Sequence, residues 1–296
     1  MARPEVEALR EQFRQTDVLG MSSVADMRQA LEQIAVVDPT PADVHCERIQ
    51  VSGVDAEFIR PPGIRIDRVI LYLHGGGYVI GSVNSHRALI ARIATVARVQ
   101  ALGLDYRRAP EHPFPAPIED ATAAYQWLMS QGFKAKQIAI AGDSAGGGLV
   151  IAALVKIRDA NLPLPSCGVA LSPWTDLEAI GESYATRREV DTMCHREGIL
   201  NLARIYLAGQ SARNPLASPL YANLQGLPPV LIHVGEAETL LDDSTRLVER
   251  ARAQGVEIKL KTYKDMPHVF QLFLPTIAES RESISEIGHF VASHLG

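Results

Sequence analysis

Gly142-Asp143-Ser144-Ala145-Gly146-Gly147 directly follows the β-like run Gln137-Ile138-Ala139-Ile140-Ala141. A serine between a strand and a glycine-rich helix start sits on a sharp turn that lifts its hydroxyl clear of a sheet. That hydroxyl is a weak nucleophile at neutral pH. It needs a base to take its proton and donors to meet the negative charge that develops on the group it attacks. Gly142 and Gly146, flanking Ser144 at two residues' distance, lack the Cβ atoms that would collide where the chain reverses. Taken alone, the pattern also fits an ordinary glycine-rich connection, so the rest of the chain must decide.

A second glycine cluster lies upstream. His74-Gly75-Gly76-Gly77 closes the apolar run Val69-Ile70-Leu71-Tyr72-Leu73. A loop of this kind supplies backbone N–H groups to an oxyanion, which makes Gly76 and Gly77, with Ala145 after the nucleophile, the candidate donors. Nucleotide-binding explanations fail on spacing. A dinucleotide fingerprint needs glycine at the sixth position of its turn, where Ile151 follows from Gly146 and Ile80 from Gly75. Gly76 and Gly81 have the separation of a phosphate loop, but Ser82 and Val83 stand where Lys and Ser or Thr are required.

Outward from these loops, short β-rich runs alternate with helical patterns between Val44 and Tyr263. This is the signature of an α/β fold with parallel strands joined by crossover helices. The expected strands are 44–51, 56–60, 69–73, 99–105, 137–141, 167–172, 230–234 and 258–263, the first two forming a hairpin about Gly53. Two stretches stand outside the alternation: the N-terminal region through about Ala35, and residues 178 to about 213. Both read as helical. In the second, Ile199, Leu202, Ile205 and Tyr206 recur at helical spacing and give one buried face. Together they predict a cap of residues 1–40 and 178–215 over a catalytic domain assembled from 41–177 and 216–296.

In this arrangement the partners of Ser144 follow it in the order acid, then histidine. His195, His233, His289 and His294 all fall in helical or strand patterns that give them packing roles. His268 instead follows the last strand, in Lys264-Asp265-Met266-Pro267-His268, where a loop hangs an imidazole over the sheet edge; it is the expected base. Glu238, in the loop after the 230–234 run, is the first choice of acid, with Asp176 as competitor. Asp242 and Asp243 are read as acidic residues that favour a helix start. The set predicts attack of Ser144 on an ester carbonyl, an acyl-enzyme, and its hydrolysis by water activated by His268, with no metal or cofactor. Tyr78, Trp174 and Phe270 are the candidates for the substrate pocket, with core packing as their alternative role.

These residues resemble the hormone-sensitive-lipase family of α/β-hydrolases, especially its bacterial carboxylesterases. The likeness spans His74 to Gly77, Asp105-Tyr106-Arg107-Arg108-Ala109-Pro110-Glu111, Gly142 to Gly147, Ser172-Pro173-Trp174, Leu240-Leu241-Asp242-Asp243 and His268-Val269-Phe270. It implies an eight-stranded, mostly parallel sheet with a helical cap, hydrolysis of short- to medium-chain acyl esters, Gly76 and Gly77 as oxyanion donors, and a homodimer. Two positions depart from the family pattern: Arg108, where leucine is frequent, and Glu238, where aspartate is more usual. An amidase or peptidase on the same fold, or a small-ligand receptor without turnover, are the competing readings; the retained His268 argues against the receptor.

Composition sets the outer bounds. The chain has 296 residues, 47% of them hydrophobic, and a formal charge of −5, with no basic footprint for nucleic acid or an anionic membrane. Cys46, Cys167 and Cys194 are an odd, widely spaced set, which predicts reduced thiols rather than disulfides or a zinc site. Glu5, Glu7, Arg10, Glu11 and Arg14 interrupt any apolar leader, and no run reaches membrane-spanning length. A cytoplasmic location without stable membrane insertion is therefore expected.

Overall fold

The computed structural model describes residues 3–35 and 39–296; the parts of the expected N-terminal cap at 1–2 and 36–38 lie outside the described residues. The chain opens with two helices, α1 (Pro4–Thr16) and α2 (Val24–Ala35). It then builds β1 (His45–Val51), β2 (Val54–Arg60), β3 (Arg65–Leu73), α3 (Val83–Ala97), β4 (Val99–Leu104) and α4 (Ala116–Ser130). Next come β5 (Ile138–Asp143), α5 (Ala145–Asp159), β6 (Cys167–Leu171), α6 (Ser183–Thr186) and α7 (Arg196–Leu207). The last third holds β7 (Val230–Gly235), α8 (Leu241–Ala253), β8 (Ile258–Tyr263), α9 (Phe270–Phe273) and α10 (Ala278–His294).

The eight strands form one sheet in the order β1-β2-β4-β3-β5-β6-β7-β8. β2 pairs antiparallel with both its neighbours, and the pairs from β4 to β8 are parallel. All the expected strands form. The hairpin turns where Ser52 and Gly53, with φ of +51° and +85°, take the left-handed pair of conformations that matches strand twist. β5, β6 and β7 are buried along their whole length, and their runs are accordingly apolar apart from Asp143 at the end of β5 and His233 in β7. α5 is almost wholly buried and small-residue-rich at its start, which lets it lie close against the sheet.

Parallel registry has one consequence for everything that follows. Leu73 pairs with Gly142, Asp143 with Leu171, Leu171 with His233 and Gly235 with Tyr263, so the loops after β3, β5, β6, β7 and β8 emerge along a single edge. Over that edge lie the stretches that broke the alternation. The N-terminal one is helical as expected. The second is not one helical segment: only α6 and α7 are α-helical, and the rest turns on side-chain contacts such as Arg213 to Glu178 and the Asp191 carboxylate receiving the amides of Met193 and Cys194. Polar tethers of that kind leave no periodic trace in a sequence.

Candidate active site

Ser144 has φ +52° and ψ −121°, a strained backbone for a residue with a side chain. Its surroundings over-determine it. The Ser144 N–H donates to the Leu171 carbonyl at 2.8 Å, and its own carbonyl accepts from Gly148 N–H at 3.0 Å and Trp174 N–H at 2.9 Å. Gly146 is obligatory for a different reason than its dihedrals: a Cβ there would stand 2.0 Å from the Leu73 carbonyl oxygen. The turn therefore presses directly on the end of β3.

The side chains expected as partners meet. Ser144 Oγ lies 2.9 Å from His268 Nε2, and His268 Nδ1 lies 3.0 Å from Glu238 Oε1. Glu238 is fully buried, and its second oxygen accepts from the Gly235 N–H and the Ser172 hydroxyl, each at 2.8 Å. The glutamate thus folds back on its own strand end, where its additional methylene is accommodated. Burial works against a charge on His268, but its contacts with the Cys194 sulfur and, above all, the Glu238 carboxylate hold the pKa well above the ordinary imidazole value. Burial pushes the Cys194 thiol itself up to about 11, so it stays neutral and the effective charge is that of Glu238.

Ser172 is a residue the sequence reading left without a role. Its hydroxyl donates to Glu238 and accepts from the Val269 N–H at 3.2 Å, joining the acid to the residue after His268. The signal was present: a hydroxyl one residue beyond β6, on the strand between those that carry nucleophile and acid. Asp176, the competing acid, is committed elsewhere, to Arg246 at 2.7 Å and the Tyr221 hydroxyl at 3.0 Å. Asp242 and Asp243 stand in the first turn of α8, as expected of acidic residues at a helix start, but neither makes a side-chain cap hydrogen bond there. Asp243 accepts from the amides of Thr175 and Asp176 at 2.7 and 2.8 Å, and Asp242 from Ser183 at 2.8 Å, so both bind neighbouring loops rather than cap their own helix.

Gly76 and Gly77 adopt φ of +114° and +60°, and Val79 and Ile80 fold back to donate to the Gly76 carbonyl at 3.0 and 2.8 Å. The N–H groups of Gly76 and Gly77 have no acceptor among the described residues. Ala145 opens α5, where a helix leaves its first amides free. A Cβ on Gly76 would meet the Ile80 carbonyl at 2.1 Å, and one on Gly77 would meet Leu202 of α7 at 2.3 Å. From the N-terminal side, Arg28 of α2 donates to the carbonyls of Val79 and Ala109 and pairs with Glu111, while Glu32 accepts from Ser82 and Asn84.

Gly76, Gly77, Ser144 and His268 open onto a cavity of about 70 Å³ whose walls are otherwise mostly apolar, from Phe13, Leu31, Trp174, Ile199 and Phe273 among others. Trp174 is one of its lining residues. Tyr78 and Phe270 are not among the lining residues and take the core-packing role given as their alternative: Tyr78 stacks on Tyr206 with centroids 3.9 Å apart, and Phe270 packs on Tyr263 at 5.0 Å. Both are fully buried and packed against another ring. Of the other downstream histidines, His233 is buried and bonded to Ser283, and His195 caps α7 by accepting from the Gly198 N–H. Among the described residues no group of three or more His, Cys, Asp or Glu side chains is arranged to hold a metal ion, and no helix is long and apolar enough to cross a membrane.

Comparison with known proteins gives concordant findings. A family model described as "alpha/beta hydrolase fold" matches residues 70–272. An acetyl-hydrolase of Streptomyces hygroscopicus is 40% identical over 301 residues, covering 100% of this chain and 99% of that protein. An esterase of Acinetobacter venetianus is 34% identical, covering 90% of this chain and 88% of its own. The crystal structure of an esterase from the bacterial hormone-sensitive lipase family is 48% identical, superposes with a TM-score of 0.97 and covers 100% of both chains.

Proposed function

The chain belongs to the α/β-hydrolase family, in its bacterial hormone-sensitive-lipase branch, and from that premise we propose that it is a serine carboxylesterase in which Ser144, His268 and Glu238 do the chemistry. The observation that carries the reading is the unbroken path from Ser144 Oγ to His268 Nε2 at 2.9 Å and from His268 Nδ1 to Glu238 at 3.0 Å, opening on an apolar cavity beside unpaired amides. His268 takes the Ser144 proton as the oxygen attacks the ester carbonyl. The carbonyl oxygen gathers negative charge, which the amides of Gly76, Gly77 and Ala145 receive. As the tetrahedral species collapses, His268 returns the proton to the leaving alcohol. A water activated by His268 then cleaves the acyl-enzyme and releases the acid. Glu238 holds the imidazole in the tautomer that offers Nε2 to Ser144 and offsets the positive charge formed in each half-reaction.

The substrates are small acyl esters, and the narrow apolar cavity favours uncharged groups from the short end of the short- to medium-chain range. Residues 1–40 and 178–215 act as the cap, supported by Phe13, Leu31 and Ile199 in the cavity wall. We also assign the enzyme to the cytoplasm as a homodimer without nucleic acid partners. The free state of Cys46, Cys167 and Cys194 supports a reducing compartment, and the charge of −5 gives a polyanion nothing to bind. Ser144→Ala tests the reading: it should abolish hydrolysis of an activated aryl ester and labelling by a serine-directed phosphonate. Faster turnover of a matched amide than of its ester would replace esterase by amidase.

A further inference from the structure

A second buried imidazole–carboxylate pair adjoins the same serine. Asp143, the last residue of β5, is 2% exposed; its Oδ1 accepts from the Tyr72 hydroxyl at 2.8 Å and the Gly75 N–H at 3.2 Å. Its Oδ2 lies 3.2 Å from Nε2 of His86, a residue in the first turns of α3 that is 1% exposed. The other ring nitrogen of His86 is 3.1 Å from the Ser82 carbonyl and 2.9 Å from Ser85 Oγ. Ser85 Oγ gives its own proton to that carbonyl at 2.9 Å, so toward His86 it is an acceptor. Nδ1 faces only acceptors and Nε2 faces the Asp143 carboxylate, which, against the effect of burial, raises the imidazole pKa above its ordinary value and favours an imidazolium beside a carboxylate; the Gly75 N–H, 3.3 Å from Nε2, lies between the two partners.

The carboxylate also occupies the room a side chain at position 75 would need. A Cβ on Gly75 would stand 2.2 Å from Asp143 Oδ2, although Gly75 itself has no left-handed backbone to demand glycine. The pairing of Leu73 with Gly142 brings these residues side by side, and His86, Asp143, Ser144, Gly76 and Gly77 all border one cavity. Replacing a buried ion pair by apolar residues is often neutral or stabilising, so stability alone is a weak account of this one.

We propose that Asp143 and His86 are positioning residues that anchor the oxyanion loop through Gly75, so that the donors at 76 and 77 are set at a fixed distance from the nucleophile that directly follows Asp143. This rests on the esterase reading above. One strand end then presents the attacking oxygen, and the preceding residue measures out where the opposing amides stand. Asp143→Asn keeps the shape but turns an amide donor against the donor of His86. It should lower kcat about 10- to 100-fold with KM changed little, and slow phosphonate labelling of Ser144 in parallel, as a displaced oxyanion site requires. His86→Gln, whose amide still donates to the carboxylate, should recover most of the rate, whereas His86→Leu should behave like Asp143→Asn. A purely structural pair would move the melting temperature and leave kcat per labelled serine untouched.

Folded Asp143→Asn with wild-type kcat and labelling rate overturns the proposal. If that variant does not fold, the two His86 variants decide: equal kcat in the Gln and Leu forms overturns it, and a large difference in favour of Gln supports it. Hydrolysis persisting in Ser144→Ala would instead remove the esterase reading beneath.

Discussion

Two imidazole–carboxylate pairs flank Ser144, and they are built differently. His268 and Glu238 hang from loops beyond β8 and β7, and one ring nitrogen is left facing the Ser144 hydroxyl. His86 and Asp143 sit on the body of a helix and the end of a strand, and neither ring nitrogen is left over. In the proposed mechanism the same chemical pair serves proton transfer where a nitrogen is kept available, and placement where both are engaged. Position along the element, not residue type, decides which.

Neutralising each carboxylate is the sharpest way to break this comparison. Glu238→Gln removes the charge that stabilises the imidazolium and disturbs its tautomer, so kcat should fall about 10⁴-fold, against the far smaller loss given above for Asp143→Asn; stopped-flow ester hydrolysis measures both. Equal losses would mean that the two pairs share one role. Next in size, Gly76→Ala drives a Cβ to 2.1 Å from the Ile80 carbonyl and displaces the loop. We expect kcat about 10²- to 10³-fold lower, with the fold retained by circular dichroism. Ser172→Ala, which leaves Glu238 Oε2 with only the Gly235 amide, should cost about tenfold in kcat with KM nearly constant.

The pH dependence separates the pairs without large losses. His268 works as a base only when neutral, and its pKa lies above the ordinary 6.5, so kcat/KM should rise with pH through a midpoint above 6.5. Glu238→Gln leaves burial in charge and should move that midpoint downward. Stability runs in the opposite sense. Because the folded pKa is raised, the stabilisation from the His268–Glu238 contact is complete below 6.5 and is lost as pH climbs through the folded value, which denaturant titrations across that window will register.

The parts of this molecule that could be read from the chain are those fixed by backbone geometry. Gly142 and Gly146 bracket Ser144 because the Leu73 carbonyl at the end of β3 fills the space the side chain of either would need, and glycine at such places is visible as a letter. The central strands β5, β6 and β7 were legible because burial on both faces writes a nearly unbroken apolar run, and His268 because it follows the alternating pattern of the last strand, β8. Tyr78, Phe270, Asp243 and Ser172 were not, since their roles depend on which ring or amide arrives from a distant segment. An aromatic bordering a cavity and one stacked on another aromatic have the same local sequence. The stretch around α6 was overread as helical because Ile199, Leu202 and Tyr206 carry a true helical signal that stops where polar tethers take over.

Arg28 gives the N-terminal segment a meaning beyond shelter. Its guanidinium binds the carbonyls of Val79 and Ala109 and the carboxylate of Glu111, so α2 is stitched into the chain immediately downstream of the anion-receiving glycines. Trimming this segment to widen the entrance for bulkier molecules would also slacken the very amides that must greet them, and engineering for access is better directed at individual side chains such as Phe13 and Leu31 than at the helices that bear them.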